Sequence, residues 1–589
     1  MLENIARWSY RKRRWMLLIW VVALVVFIAL QSVAGGSYSN DFTLPGAESQ
    51  KALDLLTSRF PQQAGDTAQI VFKDTAGIKD PQVQSGLEDL FSQISQLRYV
   101  VRIDSPYSEE GASQVSPDGT IAFATVHFQK IENDVVPVEI IKQMMRETQA
   151  IHQPGLTVVP GGPLVQFAEF ENPGGAEGVG LLAAMIILLV TFGSALAMGL
   201  PILSALFGIG IGISLVLLSA NFLNVPNFTP QLASMIGIGV GIDYALFIVT
   251  RYRQHLHQGM DPEQAVLVAM TTSGRAVVFA GITVVISLLG ILLMGFSFVQ
   301  GVAVGGAATV AVTMLASITL LPAMLGFVGR NIDKWRLPLF HRRGGDDEHS
   351  MWFRWSRVIQ RRPVIMLLSS LVVIVTLSIP LFAIRLGFPD AGTGDKTRAS
   401  KQAYDLLSEG FGPGFNGPLL LAADVDSPQA LDTLKTLSER LGSVPGVAAV
   451  TPPFPNNAGN AAIITVFPTT SPQDVKTSDL VTHLRKDVIP QVLGNSGTKV
   501  FVGGQTAGSI DFANANSSRL PILLGVVIAL SFILLVVVFR SIVVPAKAAI
   551  MNLLSIGAAY GVIVAIFQWG WGKNLLGVHG TGPIDAWVP

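Results

Sequence analysis

Nine apolar runs, each long enough to cross a bilayer, recur along this chain of 589 residues. Because the hydrocarbon core offers no hydrogen-bond partners, such segments fold as α-helices, and about 20 apolar residues span it. The runs lie at 15–33, 178–198, 200–220, 232–250, 276–296, 302–325, 363–384, 519–539 and 543–567. Half of all residues are hydrophobic and only 14% are charged. The sequence therefore predicts a polytopic α-helical membrane protein.

The distribution of basic residues predicts the orientation of these helices. The first run follows the basic residues 11–14. It is longer than the apolar region of a cleaved signal peptide, which has about 7 to 15 residues, so we expect a retained membrane anchor. If the helices alternate, one side of the membrane collects residues 11–14, Arg251, Arg253, Arg275, the 334–362 segment and Arg540. By the positive-inside rule that side is cytoplasmic. We therefore expect a cytoplasmic N-terminus and two large extracytoplasmic segments.

The chain also carries an internal repeat. Residues 49–56 match 400–407, residues 159–162 match 501–504, and residues 192–194 match 539–541, at offsets between 342 and 351 residues. A single match would mean little, but three matches in the same order indicate two duplicated halves. By this repeat, three helices of a complete second half are missing. We expect the gene product to continue past Pro589 into an apolar helix with its own Asp and Tyr, and the 589-residue form alone to be inactive.

The two long polar segments show strand and helix patterns in the order β-α-β-β-α-β, which is that of the ferredoxin-like split βαβ fold. In the first segment we predict strands at 68–72, 98–103, 120–128 and 156–159 and helices at 81–95 and 136–150. In the second we predict strands at 418–425, 447–451, 461–467 and 498–502 and helices at 427–441 and 473–489. The expected fold class is a helical membrane protein with an internal repeat and two α/β ferredoxin-like extracytoplasmic domains.

These patterns divide the chain into consecutive segments. They are 1–35 with the first spanning helix, 36–175 as the first outer domain, 176–325 with helices two to six, 326–361 as a charged cytoplasmic linker, 362–385 with helix seven, 386–518 as the second outer domain, 519–567 with helices eight and nine, and 568–589 as an outer loop. The linker is either a solvated connector that obeys the positive-inside rule, which is the more frequent case, or a lipid-binding segment.

One apolar run carries an acid and a phenol, Asp243 and Tyr244. Asp243 lies eight residues before Arg251, roughly 12 Å along a helix, and hence close to the membrane midplane. An Asp at a helix centre costs about 2.5 to 3.5 kcal/mol, so an intramembrane acid indicates a proton relay, an ion site or a substrate contact. A neighbouring hydroxyl can donate to the ionised acid or accept from the protonated one. The alternatives are an acid that reaches the headgroups and a hydrogen-bonded core Asp.

Small and hydroxyl-bearing residues surround this pair. Gly237, Gly239 and Gly241 offer small faces on which helices can pack closely, and packing explains them better than substrate contact. Thr283 and Ser287, one turn apart in the fifth run, could hydrogen-bond to the relay, although helical hydroxyls more often bond their own backbone.

Several site classes have no support in the sequence. The chain has no Cys, which excludes disulfides, Cys-ligated metals and thiol catalysis. It contains no P-loop, dinucleotide, zinc-protease or serine-hydrolase motif. His255 and His257 flank a cytoplasmic loop without carboxylate or Cys company and are predicted to be surface residues. We expect no catalytic residue, cofactor, metal or nucleic-acid partner. An ion gradient is then the remaining energy source.

Three features together resemble the MMPL family of the resistance, nodulation and division superfamily, and its small YdfJ-type members in particular. They are the outer domains after the first and seventh helices, the G-x-G-x-G-I-D-Y-x-x-F helix, and residues 272–277 before the fifth helix. The resemblance implies twelve helices in two halves, paired porter domains, and proton-driven export of lipids or other amphipathic molecules. It implies a relay of Asp243 and Tyr244 with a second pair from the tenth helix. It places Phe247 near the relay and inhibitor pocket.

We further expect a monomer in the bacterial cytoplasmic membrane, with protons, a lipid or amphipathic substrate and the bilayer as its partners. Two other function classes remain open. One is a protein-export accessory of the SecDF kind, whose outer domains would engage polypeptide. The other is a sterol-sensing receptor, which would not need the acid and phenol of Asp243 and Tyr244.

Overall fold

The computed structural model describes residues 1–39, 43–60, 66–75, 77–129, 131, 136–170, 176–335, 351–494 and 496–586. The chain forms two compact units. One comprises Met1–Thr43, Pro173–Val373 and Pro521–Asn552, and the other comprises Leu44–Asn172, Ile374–Leu520 and Leu553–Pro589. The first unit is helical where it is described, and the second contains the β-sheets. We call them the helical unit and the α/β unit. The middle part of the charged linker, from 336 to 350, lies outside the described residues.

The helices of the described residues are, in chain order, α1 (Leu2–Arg11), α2 (Arg13–Ala34), α3 (Glu48–Arg59), α4 (Pro81–Ser95), α5 (Val138–Gln149), α6 (Pro163–Phe170), α7 (Ala176–Phe192), α8 (Ala195–Ser219), α9 (Thr229–His257), α10 (Pro262–Ala269), α11 (Arg275–Gly290), α12 (Ser297–Val328), α13 (Met351–Arg361), α14 (Pro363–Ser378), α15 (Ala399–Phe411), α16 (Pro428–Gly442), α17 (Val475–His483), α18 (Ile489–Leu493), α19 (Gln505–Phe539), α20 (Val543–Ile563) and α21 (Lys573–Leu576).

Eight helical stretches of the described chain are long and apolar enough to cross a membrane. They are Arg13–Ala34, Ala195–Ser219, Thr229–His257, Pro262–Met294, Ser297–Asp333, Pro363–Ala383, Gln505–Phe539 and Val543–Gln568. The ninth predicted run, 178–198, forms a shorter apolar helix that ends at Phe192. It ends early because Gly193 adopts a left-handed φ of 64° and the Ser194 side chain caps the start of α8 by accepting from the Ala197 amide.

Close packing between glycines and threonines joins the central helices α8, α9 and α12. A Cβ added to Gly212 of α8 would lie 2.6 Å from Thr309 Oγ1 of α12. A Cβ added to Gly237 of α9 would lie 3.0 Å from Thr309 Cγ2 and 2.8 Å from Ile209 Cγ1. Such small-residue contacts are the usual means of helix association where lipid removes the hydrophobic driving force.

Two antiparallel sheets form the framework of the α/β unit. The first contains β1 (Thr67–Asp74), β2 (Val100–Asp104), β3 (Ile121–Phe128) and β4 (Leu156–Gly161) in the order β2-β3-β1-β4. A short parallel pair joins β5 (Leu386–Gly387) and β11 (Ile584–Asp585). The second sheet contains β6 (Leu419–Asp424), β7 (Val447–Val450), β8 (Phe454–Pro455), β9 (Ala461–Pro468) and β10 (Val500–Gly503). Its order is β10-β6-β9-β7, with β8 paired to β9. Both sheets have the strand order of the predicted ferredoxin-like fold.

The two halves of the α/β unit exchange helices. Helix α3, from the first half, packs against β6 and β10 of the second sheet, and α15, from the second half, packs against β1, β3 and β4 of the first. A carboxylate holds the start of each exchanged helix. Asp511 Oδ2 accepts from the Ser49 amide at 3.0 Å, and Glu169 Oε1 accepts from the Ala399 amide at 2.7 Å. The halves are therefore interlocked, and residues of both share one hydrophobic cluster.

Candidate functional site

Helix α9 has an exposed face along its whole length. Exposed residues recur at 232, 235, 239, 243, 247, 251 and 254, and this spacing of three or four residues puts them on one side of the helix. Met235 is 56% exposed and Phe247 is 64% exposed. Asp243 is the middle residue of α9 and lies at the centre of this exposed face. The side chain of Asp243 therefore faces away from the helical core.

Tyr244 lies on the other side of α9. Successive residues on an α-helix are turned by about 100°, so Tyr244 points into the helical core while Asp243 points outward. Tyr244 is only 7% exposed and packs in a cluster that includes Ala205 and Ile248. Its hydroxyl has no hydrogen-bond partner among the described residues. A buried, unbonded hydroxyl costs about 1 to 3 kcal/mol, which makes this phenol unusual for a purely structural residue.

The three glycines of α9 have different surroundings. Gly237 contacts α8 and α12, as described above, and a Cβ added to Gly241 would lie 2.8 Å from Ala205 Cβ of α8. These two positions need a residue without a side chain. Gly239 belongs to the exposed face instead, and an added Cβ there would meet no described atom within 4 Å. Helix packing within the described chain therefore accounts for Gly237 and Gly241 but not for Gly239.

The predicted supporting hydroxyls bond to their own helix. Thr283 Oγ1 donates to the Phe279 carbonyl at 2.9 Å, and Ser287 Oγ donates to the Thr283 carbonyl at 2.9 Å. This is the commoner of the two arrangements considered from the sequence. Phe247 lies one turn after Asp243 on the same exposed face. Of the residues predicted around the relay, the structure thus places Phe247 beside the acid.

An ionic cluster fixes the basic end of α9. Arg253 Nη2 donates to Asp333 Oδ1 at 2.6 Å and to the Phe192 carbonyl at 3.0 Å. His257 Nε2 lies 2.5 Å from Asp333 Oδ2. The expectation that His257 has no carboxylate neighbour was therefore wrong, because Asp333 lies 76 residues further along the chain. His255 interacts instead with Gln258, at 3.2 Å.

The α/β unit contains a cavity of about 860 Å³ that the sequence analysis missed. Its wall combines aromatic rings with amides, hydroxyls and the charged side chains of Arg385, Asp390 and Asp479, a mixture suited to an amphipathic molecule. The aromatic residues are Phe388, Tyr404, Phe415 and Phe467. The polar ones include Gln69, Gln166, Asn416, Gln473, Gln505, Ser509 and Asn514. These residues come from distant parts of both halves, so no local motif could have revealed the cavity.

Asp390 is the half-buried acid of this cavity wall. Its Oδ1 accepts from the Gly392 amide at 2.9 Å and from Gln473 Nε2 at 2.5 Å. Burial raises the pKa of Asp390 to about 6, although the bonds from Gly392 and the Tyr404 hydroxyl favour the charged form. Burial, and then the neighbouring Asp390, raise the pKa of Tyr404, which stays a hydrogen-bond donor. Asp390 therefore changes charge in mildly acidic solution.

This raised pKa predicts how the stability of the α/β unit depends on pH. The folded state binds the Asp390 proton more tightly than the unfolded state, so the contribution of Asp390 is fully present below about pH 4 and is lost as pH rises through about 6. The loss amounts to about 3 kcal/mol. Asp390→Asn should remove this dependence of the stability on pH between about pH 4 and 7. Thermal unfolding between pH 4 and 7 checks it, with Asp432→Asn on the exposed surface of α16 as control. An unchanged slope in Asp390→Asn would contradict the assignment.

Comparison with known proteins identifies the family. Residues 41–366 and 424–576 match the MMPL family. The chain belongs to the MMPL family. It is 34% identical to membrane protein YdfJ of Bacillus subtilis (strain 168) over 595 residues, which cover 100% of this chain and 80% of YdfJ. The resemblance inferred from the Asp-Tyr helix and the paired outer domains is thus confirmed, and so is the fold class.

Two mycobacterial MMPL proteins are also similar. The mycolic acid-containing lipids exporter MmpL11 of Mycolicibacterium smegmatis (strain ATCC 700084 / mc(2)155) is 28% identical over 609 residues, 99% of this chain and 62% of the relative. The heme uptake protein MmpL11 of Mycobacterium tuberculosis (strain ATCC 25618 / H37Rv) is 29% identical over 604 residues, 99% and 61% of the two chains. The chain spans less than two thirds of these two relatives. MMPL proteins are transporters and not enzymes, and this chain is a multi-pass membrane protein of that family.

Proposed function

We propose that this MMPL protein exports lipids or other amphipathic molecules across the bacterial cytoplasmic membrane, driven by the proton-motive force. The observation that carries the proposal is Asp243, an acid at the middle of a spanning helix and at the centre of its exposed face. An acid at mid-depth is too costly to be retained for packing, and it can bind and release a proton there.

The relay works through the charge of α9. Proton binding neutralises Asp243, and proton release restores a charge on the exposed face. The charge makes it about 2.5 to 3.5 kcal/mol more costly to cover that face with apolar groups. The equilibrium between a state in which the face is covered and one in which it is open then shifts on the order of a hundredfold. A proton that moves with the membrane potential supplies a further 2.3 kcal/mol or so per 100 mV. In this proposal Phe247 lies one turn from the acid on the exposed face, Tyr244 acts from the core side of α9, and Thr283 and Ser287 stay candidates for support.

The cavity of the α/β unit is the proposed substrate site. Its volume of about 860 Å³ falls within the range of ligand pockets, roughly 300 to 1,000 Å³. The relatives' names support an amphipathic cargo, since one exports mycolic acid-containing lipids and another takes up heme. In the proposed topology the porter domains at 36–175 and 386–518 lie outside the cell, the N-terminus lies in the cytoplasm, and the protein acts as a monomer.

The proposal is tested in proteoliposomes made with the protein expressed from its complete gene. An imposed pH gradient should drive a fluorescent lipid between leaflets or to an acceptor, and collapse of the gradient by a protonophore should stop this movement. Transport that continues without a gradient would contradict proton coupling. Stimulation of polypeptide translocation without any lipid movement would favour the protein-export alternative instead.

Replacement of Tyr244 by phenylalanine should separate stability from transport. The substitution removes a buried hydroxyl without a described partner, so the thermal stability of the protein should be unchanged or slightly higher. Transport should nevertheless slow if the phenol carries or orients the proton. Phe247→Ala is the matched comparison on the exposed face, and it should change substrate or inhibitor affinity more than proton coupling. Identical effects of both substitutions would show that the assigned roles are wrong.

A further inference from the structure

Helix α13 separates apolar and basic side chains onto different faces. Trp355, Val358 and Ile359 share one face and are 55%, 43% and 40% exposed. Arg354, Arg357 and Arg361 share another face, about 120° further around the helix, and all three are exposed. The sequence of α13 contains no Asp or Glu. The helix therefore combines an exposed apolar stripe with a basic stripe.

The position of α13 places these stripes at the end of a spanning helix. Arg362 follows α13 directly, and Pro363 begins the apolar stretch Pro363–Ala383. The chain bends at Arg362 between the two helices. Tryptophan and arginine are the residues that favour the membrane–water interface, where an amphipathic helix lies in the plane of the headgroups.

The internal repeat supplies an independent comparison. Residues 7–9 in α1 and residues 354–356 in α13 have the same sequence, Arg-Trp-Ser, at an offset of 347 residues. Helix α1 also leads directly into a spanning helix, α2. In α1, Ser9 is fully buried and faces the helical unit, whereas Trp8 points away from it and is 48% exposed. The equivalent Trp355 is likewise exposed, so both tryptophans face the surroundings of the protein.

The second copy differs from the first where the apolar stripe lies. Val358 and Ile359 of α13 take the places of Arg11 and Lys12 in α1. Arg11 forms an ion pair with Glu263 of the helical unit, so α1 uses this position to bind the protein. Helix α13 has lost that pairing group and gained aliphatic side chains. Its face is therefore suited to an apolar medium.

We propose that α13 is an interfacial lipid-binding helix. It inserts the face of Trp355, Val358 and Ile359 into the boundary between headgroups and acyl chains, and Arg354, Arg357 and Arg361 bind anionic phospholipid headgroups. Charge complementarity selects this occupant, because each arginine near an anionic surface strengthens membrane binding about fivefold. Of the two interpretations of the linker considered from the sequence, this assigns lipid binding to its C-terminal residues, 351–361.

The sequence contains no cysteine, so a single introduced cysteine can be labelled specifically. Single cysteines replace Trp355, Val358 or Ile359 on the apolar face and Ser356 or Gln360 on the polar face as matched controls. Each carries a nitroxide in the intact protein in vesicles of phosphatidylethanolamine and phosphatidylglycerol. The first three labels should lie about 5 to 10 Å below the headgroups, with several-fold higher access to oxygen than to a nickel chelate. The controls should show the reverse preference.

A second measurement tests the anionic headgroup. A fluorophore at Gln360→Cys should be quenched more by headgroup-labelled phosphatidylglycerol than by headgroup-labelled phosphatidylcholine at the same fraction. Combined Arg354→Gln, Arg357→Gln and Arg361→Gln substitutions should remove this preference. Apolar-face labels that are closed to both oxygen and nickel would show that protein covers α13, and labels open to nickel would show that it lies in water. Either result, or equal quenching by both lipids in the unsubstituted helix, overturns the proposal.

Discussion

Replacement of Asp243 by asparagine should reduce proton-driven transport to the background of empty vesicles while the protein stays folded and inserted. The amide has nearly the shape of the carboxyl group and removes only the titrating proton. Asp243 lies on the exposed face of α9, so this isosteric change should disturb the packing of the helical core little. Loss of a charge that costs about 2.5 to 3.5 kcal/mol at a helix centre should make insertion easier. Transport rate and protein yield, measured on the same preparation, check both parts.

Two variants bracket this result. Asp243→Glu keeps a titrating group one methylene further from α9 and should retain part of the transport. Met235→Leu changes the same exposed face two turns away without any charge and should transport normally. Transport by Asp243→Asn at the wild-type rate would show that Asp243 is not a proton relay. Loss of transport in Met235→Leu would show that transport depends on the shape of the exposed face and not on the acid.

Replacement of Ser509 by tryptophan should block the cavity of the α/β unit. Ser509 lies on α19 and lines the cavity wall. A bulky ring in a filled site costs about 1 to 3 kcal/mol, so substrate affinity should fall roughly 5- to 150-fold. Binding of a fluorescent lipid analogue to the purified protein measures this effect. Proton binding by Asp243 should be unaffected, since α9 belongs to the helical unit.

The matched controls lie on the same helix. Ser509→Ala keeps the cavity open and should bind the analogue normally. Ser518→Trp adds the same ring at an exposed position that does not line the cavity. If Ser509→Trp and Ser518→Trp bind the analogue equally well, the cavity is not the substrate site.

The sequence predicted the spanning helices because each spans the membrane on its own. A run of about 20 apolar residues satisfies its backbone internally, whatever its neighbours are. The exception was the run at 178–198, where Gly193 and Ser194 end one helix and start the next. This break consists of only two residues, and the apolar residues on both sides of it make the sequence look like one continuous spanning run.

The α/β halves were predictable in order but not in their connection. Strand and helix periods gave both ferredoxin-like patterns, and the repeat drew attention to residues 49–56 and 400–407. The exchange of α3 and α15 between the sheets depends on contacts such as that of Glu169 with Ser400, which are more than 200 residues apart. No local pattern reports which sheet an amphipathic helix covers.

The candidate sites, too, were only partly predictable from the sequence. Asp243 was visible because a charge in an apolar run is conspicuous, whereas its separation from Tyr244 onto another face required the packing of α9. Asp390 could not be found, since the groups around it, Gln473 and Tyr404, come from separate elements. The pairing of His257 with Asp333 was missed for that reason too.

The central claim is that protons move through Asp243 in step with substrate. Vesicles that contain a pH-sensitive dye and either the wild-type protein or Asp243→Asn, each expressed from the complete gene, receive an inward proton gradient and a candidate lipid. The account predicts that the lipid accelerates proton entry through the wild-type protein and has no effect on Asp243→Asn. Equal proton entry through both proteins, or lipid transport by the wild-type protein with no proton entry, would contradict it.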